Sequence, residues 1–114
     1  MTIQPEKWEI WLAPFKYEDC NETKVRPVLI YEDCIVWFVS FKITTHTPRP
    51  YCDGEYVIQD WKEAGLHYPS VIRCTKKTNL LPSDLKKKLG RLSMRDIKEV
   101  TQVFKSLYKP NPDA

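Results

Sequence analysis

The chain has 114 residues, of which 42% are hydrophobic and 29% charged, and a formal net charge of +3. That length fits one domain with a core of moderate size, and that balance belongs to a soluble globular protein and excludes disordered and fibrous classes. The longest apolar run, 35–39 with Phe41 beyond Ser40, is far below the roughly 20 residues of a membrane-spanning helix, and the opening MTIQPEKWEIW lacks the layout of a secretory signal; a cytoplasmic protein with no membrane association is expected.

In chain order, Trp8 to Phe15 alternates loosely between apolar and polar and stops near Pro14, which reads as a first strand. Residues 16–25, KYEDCNETKV, form a polar loop, and a loop of that length inside a compact domain is often functional. Pro27 to Tyr31 and Ile35 to Ile43 are runs of β-branched and aromatic residues around Glu32-Asp33-Cys34, and they predict a buried hairpin at the centre of a sheet. The segment TTHTPRPYCDG, with Pro48, Pro50 and Gly54, continues neither strand nor helix and reads as a second long loop.

Glu55 to Gln59 reads as a short strand, after which Asp60 caps a one-turn helix over 62–64 that Gly65 ends. Ser70 to Cys74 alternates as a strand that 76–81 extends past a bend, Pro82-Ser83-Asp84 starts a helical turn, and Leu89 to Leu92 returns as an edge strand. Ser93 caps a long helix, because Ile97, Val100, Val103, Phe104, Leu107 and Tyr108 fall on one helical stripe that Pro110 terminates. Five or six short strands with helices toward the chain end predict a single-domain, mainly β, α+β architecture: a small antiparallel barrel or roll. No internal repeat or low-complexity segment interrupts it.

The chain contains no G-x-S-x-G elbow, no glycine-rich phosphate loop, no H-E-x-x-H and no EF-hand spacing. Cys20, Cys34, Cys52 and Cys74 lack the paired C-x-x-C spacing of a zinc site, so neither metal nor cofactor is expected. In a reducing compartment these thiols read as small buried or half-buried hydrophobes. Trp8, Trp11, Trp37 and Trp61 could stack on bases, but in a chain this small most of them belong to the core.

What remains is a set of cations and hydroxyls at strand and loop ends: Lys24, Arg26, Thr44, Thr45, His46, Thr47 and Arg49. Arg26 starts one core strand and Thr44 follows the end of its hairpin partner, so antiparallel pairing can bring them to the same side of the sheet. Arginine clamps phosphate in bidentate fashion and histidine exchanges a proton near neutral pH, which makes a phosphodiester site. The same residues also have plain readings: a solvated arginine before a proline, a β-branched strand end, a polar loop histidine. His67 has no evident role.

Charge is uneven along the chain, with seven Lys/Arg against eleven Asp/Glu in residues 1–69 and eleven against three in 70–109. The basic half attracts polyanions or acidic protein segments, although lysines solvated on an ordinary surface give the same count.

KVRPVLIY (24–31) resembles the R-P-V-L-V strand of MazF/PemK toxins, and VSFKITTH (39–46) resembles the strand ending in those proteins' I-T-S or I-T-x motif. DWKEAGLHYPSVIR (60–73) is similar to the family's D-W-K-x-A-G-L…S-x-V-R stretch, and LGRLSMRDIKEV (89–100) to the I-G-x-L-S-x-x-D block before its last helix. The matches keep family order over about 8–108. The resemblance implies an SH3-like barrel with appended helices, a homodimer, inhibition by an acidic antitoxin, and metal-independent cleavage of single-stranded RNA. It also implies that Arg26 and Thr44 are the catalytic pair. Arg26 would clamp the phosphate and protonate the leaving oxygen, Thr44 would hold phosphate oxygens, and His46 is a further candidate proton carrier. Lys24, Thr45, Arg49, Lys76 and Lys77 are the candidate substrate contacts.

The rival reading is a non-catalytic small-barrel module that binds RNA or an acidic partner through Lys76, Lys77, Lys86, Lys87, Lys88 and Arg91. Arg26→Ala separates the two, since only an enzyme loses turnover. A structural adaptor would show no RNA affinity at low salt.

Overall fold

A computed structural model describes residues 5–16, 23–34, 38–45 and 54–108. Among the described residues six strands, β1 (Glu9–Lys16), β2 (Thr23–Asp33), β3 (Phe38–Thr44), β4 (Glu55–Val57), β5 (Val71–Leu80) and β6 (Lys87–Arg91), precede one helix, α1 (Met94–Leu107), with a 3-10 turn over Pro82–Asp84. The sheet order is β4-β5-β3-β2-β1-β6, and every neighbouring pair is antiparallel. The fold is therefore mainly β with one C-terminal helix. The sequence led us to expect a closed barrel; among the described residues the sheet is open, with the short strands β4 and β6 as its two edges.

Apolar runs rather than strict alternation mark a sheet covered on both faces. On one face Ile10, Leu29, Phe41, Ile43, Ile72 and Cys74 are buried against Val100 and Phe104 of α1. On the other, Trp11, Ala13, Val28, Ile30, Phe38 and Leu80 pack with Leu85, which follows the 3-10 turn. The helix stripe predicted from spacing is the buried one, with Val100 and Phe104 at its centre and Ile97, Val103 and Leu107 at its margins. Phe104 stacks on Phe41 and Tyr31 at centroid distances of 4.7 and 4.5 Å. Trp11 is buried, and Trp8 and Trp61 pack against the core, while Trp37 lies outside the described residues. Cys74 is a free buried thiol whose pKa burial pushes up to about 12, so it is inert at neutral pH. Cys34 is free and half-buried, and Cys20 and Cys52 lie outside the described residues.

Several boundaries differ from expectation. Strand β2 begins at Thr23, so the predicted ten-residue loop loses its last three positions to the sheet. Strand β5 does run on past a bend as expected: Arg73 pairs with Lys42 and Lys77 with Phe41, while residues 74–76 bulge out of register. Asp60 does not cap the turn that follows it: its carboxylate takes Ser93 Oγ at 2.6 Å and the Arg95 guanidinium at 2.5 Å. The segment 60–65 is a single backbone turn closed by Ala64 N to Asp60 O at 3.1 Å. Ser93 does cap α1, accepting from Asp96 N.

Gly65 ends that turn with φ +90°, the left-handed region that glycine tolerates. A Cβ there would lie 2.0 Å from the Leu89 carbonyl oxygen, and one on Gly90 would lie 2.2 Å from that of Ala64. The turn and β6 thus meet backbone to backbone, with no side chain able to yield. Gly90→Ala is expected to destabilise by at least about 2 kcal/mol, a fall in Tm of roughly 8 °C or more by calorimetry; an unchanged Tm would show that the two backbones can separate freely.

Edge strand β6 is fastened by an ion pair. Glu9, 4% exposed, accepts from Lys88 Nζ at 2.8 Å, Trp11 Nε1 at 3.0 Å and Glu6 N at 2.9 Å. Burial alone would raise the Glu9 pKa, but the hydrogen bonds from Lys88, Glu6 and Trp11 outweigh it and hold the carboxyl below its ordinary value. A group depressed in the folded state contributes stability above its unfolded pKa and loses it as pH falls through the folded one. Urea midpoints followed from neutral pH down to about pH 2 should therefore fall less steeply in Glu9→Gln than in the parent. Parallel curves would remove Glu9 from the acid response.

Candidate active site

The ladder between β2 and β3 ends at Val28–Lys42, whereas β2 continues to pair with β1 as far as Thr23 and β3 with β5 as far as Thr44. Proline has no N–H to donate to a ladder, and Pro27 stands at the position where pairing with β3 stops. Beyond it the two strands are held from their outer sides only. Counting on from Val28–Lys42 sets Pro27 level with Ile43 and Arg26 level with Thr44, and residues level in an antiparallel pair share a face.

A cleft of about 120 Å³ opens at that point, lined by Arg26, Pro27, Ile43, Thr44, Thr45 and Ser70. Arg26 is exposed and anchored opposite Ala13 of β1; Thr44 is half-buried and anchored opposite Val71 of β5. Ser70 immediately precedes β5, is 3% exposed, donates its hydroxyl to Tyr68 O at 2.7 Å, and accepts Ile58 N on its carbonyl at 3.0 Å. A cation thus shares the cleft with the hydroxyls of Thr44 and Thr45, while the Ser70 hydroxyl is committed to Tyr68 O. Such an arrangement can grip a tetrahedral anion, with charge from one wall and hydrogen bonds from the other.

Of the residues named from sequence, the structure brings Arg26, Thr44 and Thr45 to this cleft. Lys24 is exposed two residues before Arg26, on the same face of β2 by alternation. Lys76 and Lys77 do not line the cleft: Lys77 pairs with Phe41, three residues and about 10 Å along β3 from Thr44. As consecutive residues of a strand they also point to opposite faces. His46, Thr47 and Arg49 lie outside the described residues.

Sequence reasoning missed Ser70, read only as a strand start, and it missed Lys42 and Arg73. Lys42 is 8% exposed and precedes Thr44 by two residues on the same strand face, and Arg73 is its partner on β5. The available signal was the lysine inside the apolar run FVSFKIT, a position where an ordinary core strand carries no charge. Among the described residues no three His, Cys, Asp or Glu side chains gather as a metal site, and no helix is long and apolar enough to cross a membrane.

The class defined by this arrangement is a small open antiparallel sheet with a C-terminal helix and, where two central strands part, a cleft lined by a cation and hydroxyl side chains. Known proteins share its fold. The family described as PemK-like, MazF-like toxin of type II toxin-antitoxin system matches residues 6–108, and the chain belongs to that family. Among solved structures, the fold is similar to the Mycobacterium tuberculosis toxin MazF-mt6, with TM-score 0.70, 21% identity, and coverage of 90% of this chain and 98% of that one. It is also similar to an endoribonuclease from Mycobacterial species at TM-score 0.71 and 12% identity, covering 95% of each chain. An endoribonuclease in complex with its cognate antitoxin, again from Mycobacterial species, superposes with TM-score 0.73 at 14% identity over 96% of this chain and 100% of the other. No curated protein matches the sequence.

Proposed function

We propose that this toxin-family chain is an endoribonuclease that cuts single-stranded RNA without a metal ion, with Arg26 and Thr44 at the scissile phosphate. The observation that supports it is the cleft where the two strands part, with the Arg26 and Thr44 side chains on one face and on opposite walls. Structural neighbours described as endoribonucleases point the same way.

In the proposed reaction the ribose 2′-oxygen forms a bond to the adjacent phosphorus, the bond to the 5′-oxygen breaks, and a cyclic phosphate and a 5′-hydroxyl result. The 2′-hydroxyl loses its proton to a base and the leaving oxygen gains one from an acid. Arg26 places a permanent positive charge where the phosphorane oxygens become more negative. It is not the base, since arginine does not deprotonate in proteins. Thr44, with Thr45 beside it, fixes the phosphate oxygens by hydrogen bonding. His46 is the proposed proton carrier, and Lys24 and Arg49 the proposed contacts to flanking phosphates.

The remaining partners belong to the same reading: an acidic antitoxin segment that competes with RNA for the basic surface, and a second copy of the chain in a homodimer of SH3-like barrels, in the cytoplasm. Lys86, Lys87, Lys88 and Arg91 are exposed at and beside edge strand β6 and do not line the cleft, so Arg26→Ala distinguishes a module that binds polyanions through them from an enzyme.

The test is cleavage of a long single-stranded RNA in EDTA. Arg26→Ala should lower the rate roughly 10²-fold or more, by analogy with loss of one preorganised donor, and lysine should restore little because it lacks the planar fork. Thr44→Ser keeps the hydroxyl and should retain part of the activity, whereas Thr44→Val keeps the shape and should be worse. Undiminished cleavage by Arg26→Ala, or cleavage that only magnesium restores, would refute the assignment.

A further inference from the structure

Beside the cleft stands an aromatic ring that the rest of the molecule does not use. Ser70 lines the cleft and follows Tyr68-Pro69 directly. Its buried hydroxyl donates to Tyr68 O at 2.7 Å, and its carbonyl accepts Ile58 N at 3.0 Å, so the loop that carries Tyr68 is tied to the start of β5 and through it to the chain leaving β4. Pro69 restricts the backbone of Tyr68 further, because a residue before proline is driven out of the helical region. The Cα atoms of Tyr68 and Ser70 are at most about 7 Å apart, which sets the base of the ring next to the cleft wall.

The ring itself faces solvent. Tyr68 is 68% exposed, and its side chain makes no hydrogen bond, ring contact or cation contact. Among the described residues the other exposed member of the Phe, Trp and Tyr set is Tyr108, which donates its hydroxyl to Cys74 O at 2.7 Å and lies against Phe41 and Phe104. An exposed tyrosine by itself is ordinary. Tyr68 differs in standing beside a cleft, on a backbone fixed before any ligand arrives, with its ring free of partners. Such a side chain has only two torsions to lose, so ordering it on a ligand costs little entropy. A nucleic acid base supplies the planar partner, and stacking tolerates any sequence because every base has a π-face.

We propose that Tyr68 is a base-stacking platform that receives one unpaired base of the RNA strand beside the phosphate held in the cleft. For its ligand this rests on the ribonuclease reading. The contact is apolar and planar rather than ionic. Losing the ring therefore weakens binding by the same factor at every salt concentration, whereas losing a phosphate contact reduces the salt slope.

The experiment compares two fluorescent strands of about ten units with the same phosphates, an oligothymidylate and a chain of abasic deoxyribose units, neither of which carries the attacking 2′-hydroxyl. Tyr68→Ala should weaken binding of the base-bearing strand roughly five- to thirtyfold, leave the abasic strand bound as by the parent, and keep the slope of log affinity against log salt. Tyr68→Phe should bind as the parent does, because the ring and not the hydroxyl stacks. Tyr68→Leu, apolar but not planar, should bind like the alanine variant. The side chain lies mostly in solvent, so all three variants should melt within about 3 °C of the parent. Equal losses on the two strands, a reduced salt slope, or full affinity in Tyr68→Leu overturns the platform. So does a Tyr68→Ala variant that keeps its affinity for the base-bearing strand and loses it only for a glutamate-rich peptide, which would assign the ring to a protein partner. A parent that prefers the base-bearing strand through Tyr68 yet cuts no RNA in EDTA leaves the platform standing and removes the ribonuclease reading. A parent that cuts RNA but binds the two strands equally, or binds neither, does the reverse.

Discussion

One buried carboxylate holds the helix to the sheet. Asp96 is fully buried in the first turn of α1 and accepts from Tyr56 Oη at 2.5 Å, Gln59 N at 2.9 Å and Asp60 N at 2.8 Å, with the Ser93 hydroxyl at 3.3 Å. A carboxyl group with no exposure is tolerable only when its oxygens are filled in this way. Burial, then the hydrogen bonds to Asp96 and Glu99, push the Tyr56 hydroxyl far above its ordinary range, so it remains a donor at every pH at which the protein folds. Through these bonds α1 is tied to edge strand β4 and to the chain leaving it. Arg95 adds an exposed clasp to Asp60, whose pKa it lowers, but its surface position makes it the minor partner. If Asp96 were released, the stripe Val100–Phe104 would lose its register over Phe41, and the helix-side core with it.

The cleft depends on that frame without touching it. Arg26 and Thr44 are positioned by β1 and β5, the outer neighbours of the strands that carry them, and those strands are backed by the two apolar clusters. A site built where a ladder stops gains two properties at once. Its side chains stand on rigid strands, and its backbone is open enough to admit a ligand between walls that would otherwise be zipped. Pro27 supplies the interruption in the chain itself, so the gap does not depend on a loop.

How far this was legible in sequence follows from the kind of signal each feature leaves. The stripe from Ile97 to Leu107 and the Ser93 cap are local and periodic, and they lie where spacing put them. The central strands were read from β-branched runs, and the convergence of Arg26 with Thr44 follows from antiparallel pairing of neighbours in sequence. Closure of the sheet was not legible, because whether β4 meets β6 is decided by curvature accumulated over six strands and not by any residue in either edge. The role of Asp60 was misread for a similar reason: a cap and a long-range salt bridge use the same side chain, and Arg95 is thirty-five positions away. The bulge at 74–76 left no glycine or proline to mark it, and it sets Lys77 level with Phe41, nearer to Thr44 than an unbroken ladder would place it, yet still not lining the cleft.

Where the two faces of the sheet differ, the difference itself carries information. The helix-side face is apolar across β1, β2 and β3 and at the start of β5, whereas the opposite face changes character along its length, from Phe38 and Leu80 at one end to Lys42, Arg73 and Glu55 toward the cleft. Hydrophobic residues of similar volume in that row would stabilise the sheet at least as well as partly buried charges do. Stability therefore does not explain the row, and neither does solubility, since its charges are largely withdrawn from solvent. The row carries one more cation than anion, so it adds positive potential beside a cleft whose own cation is exposed.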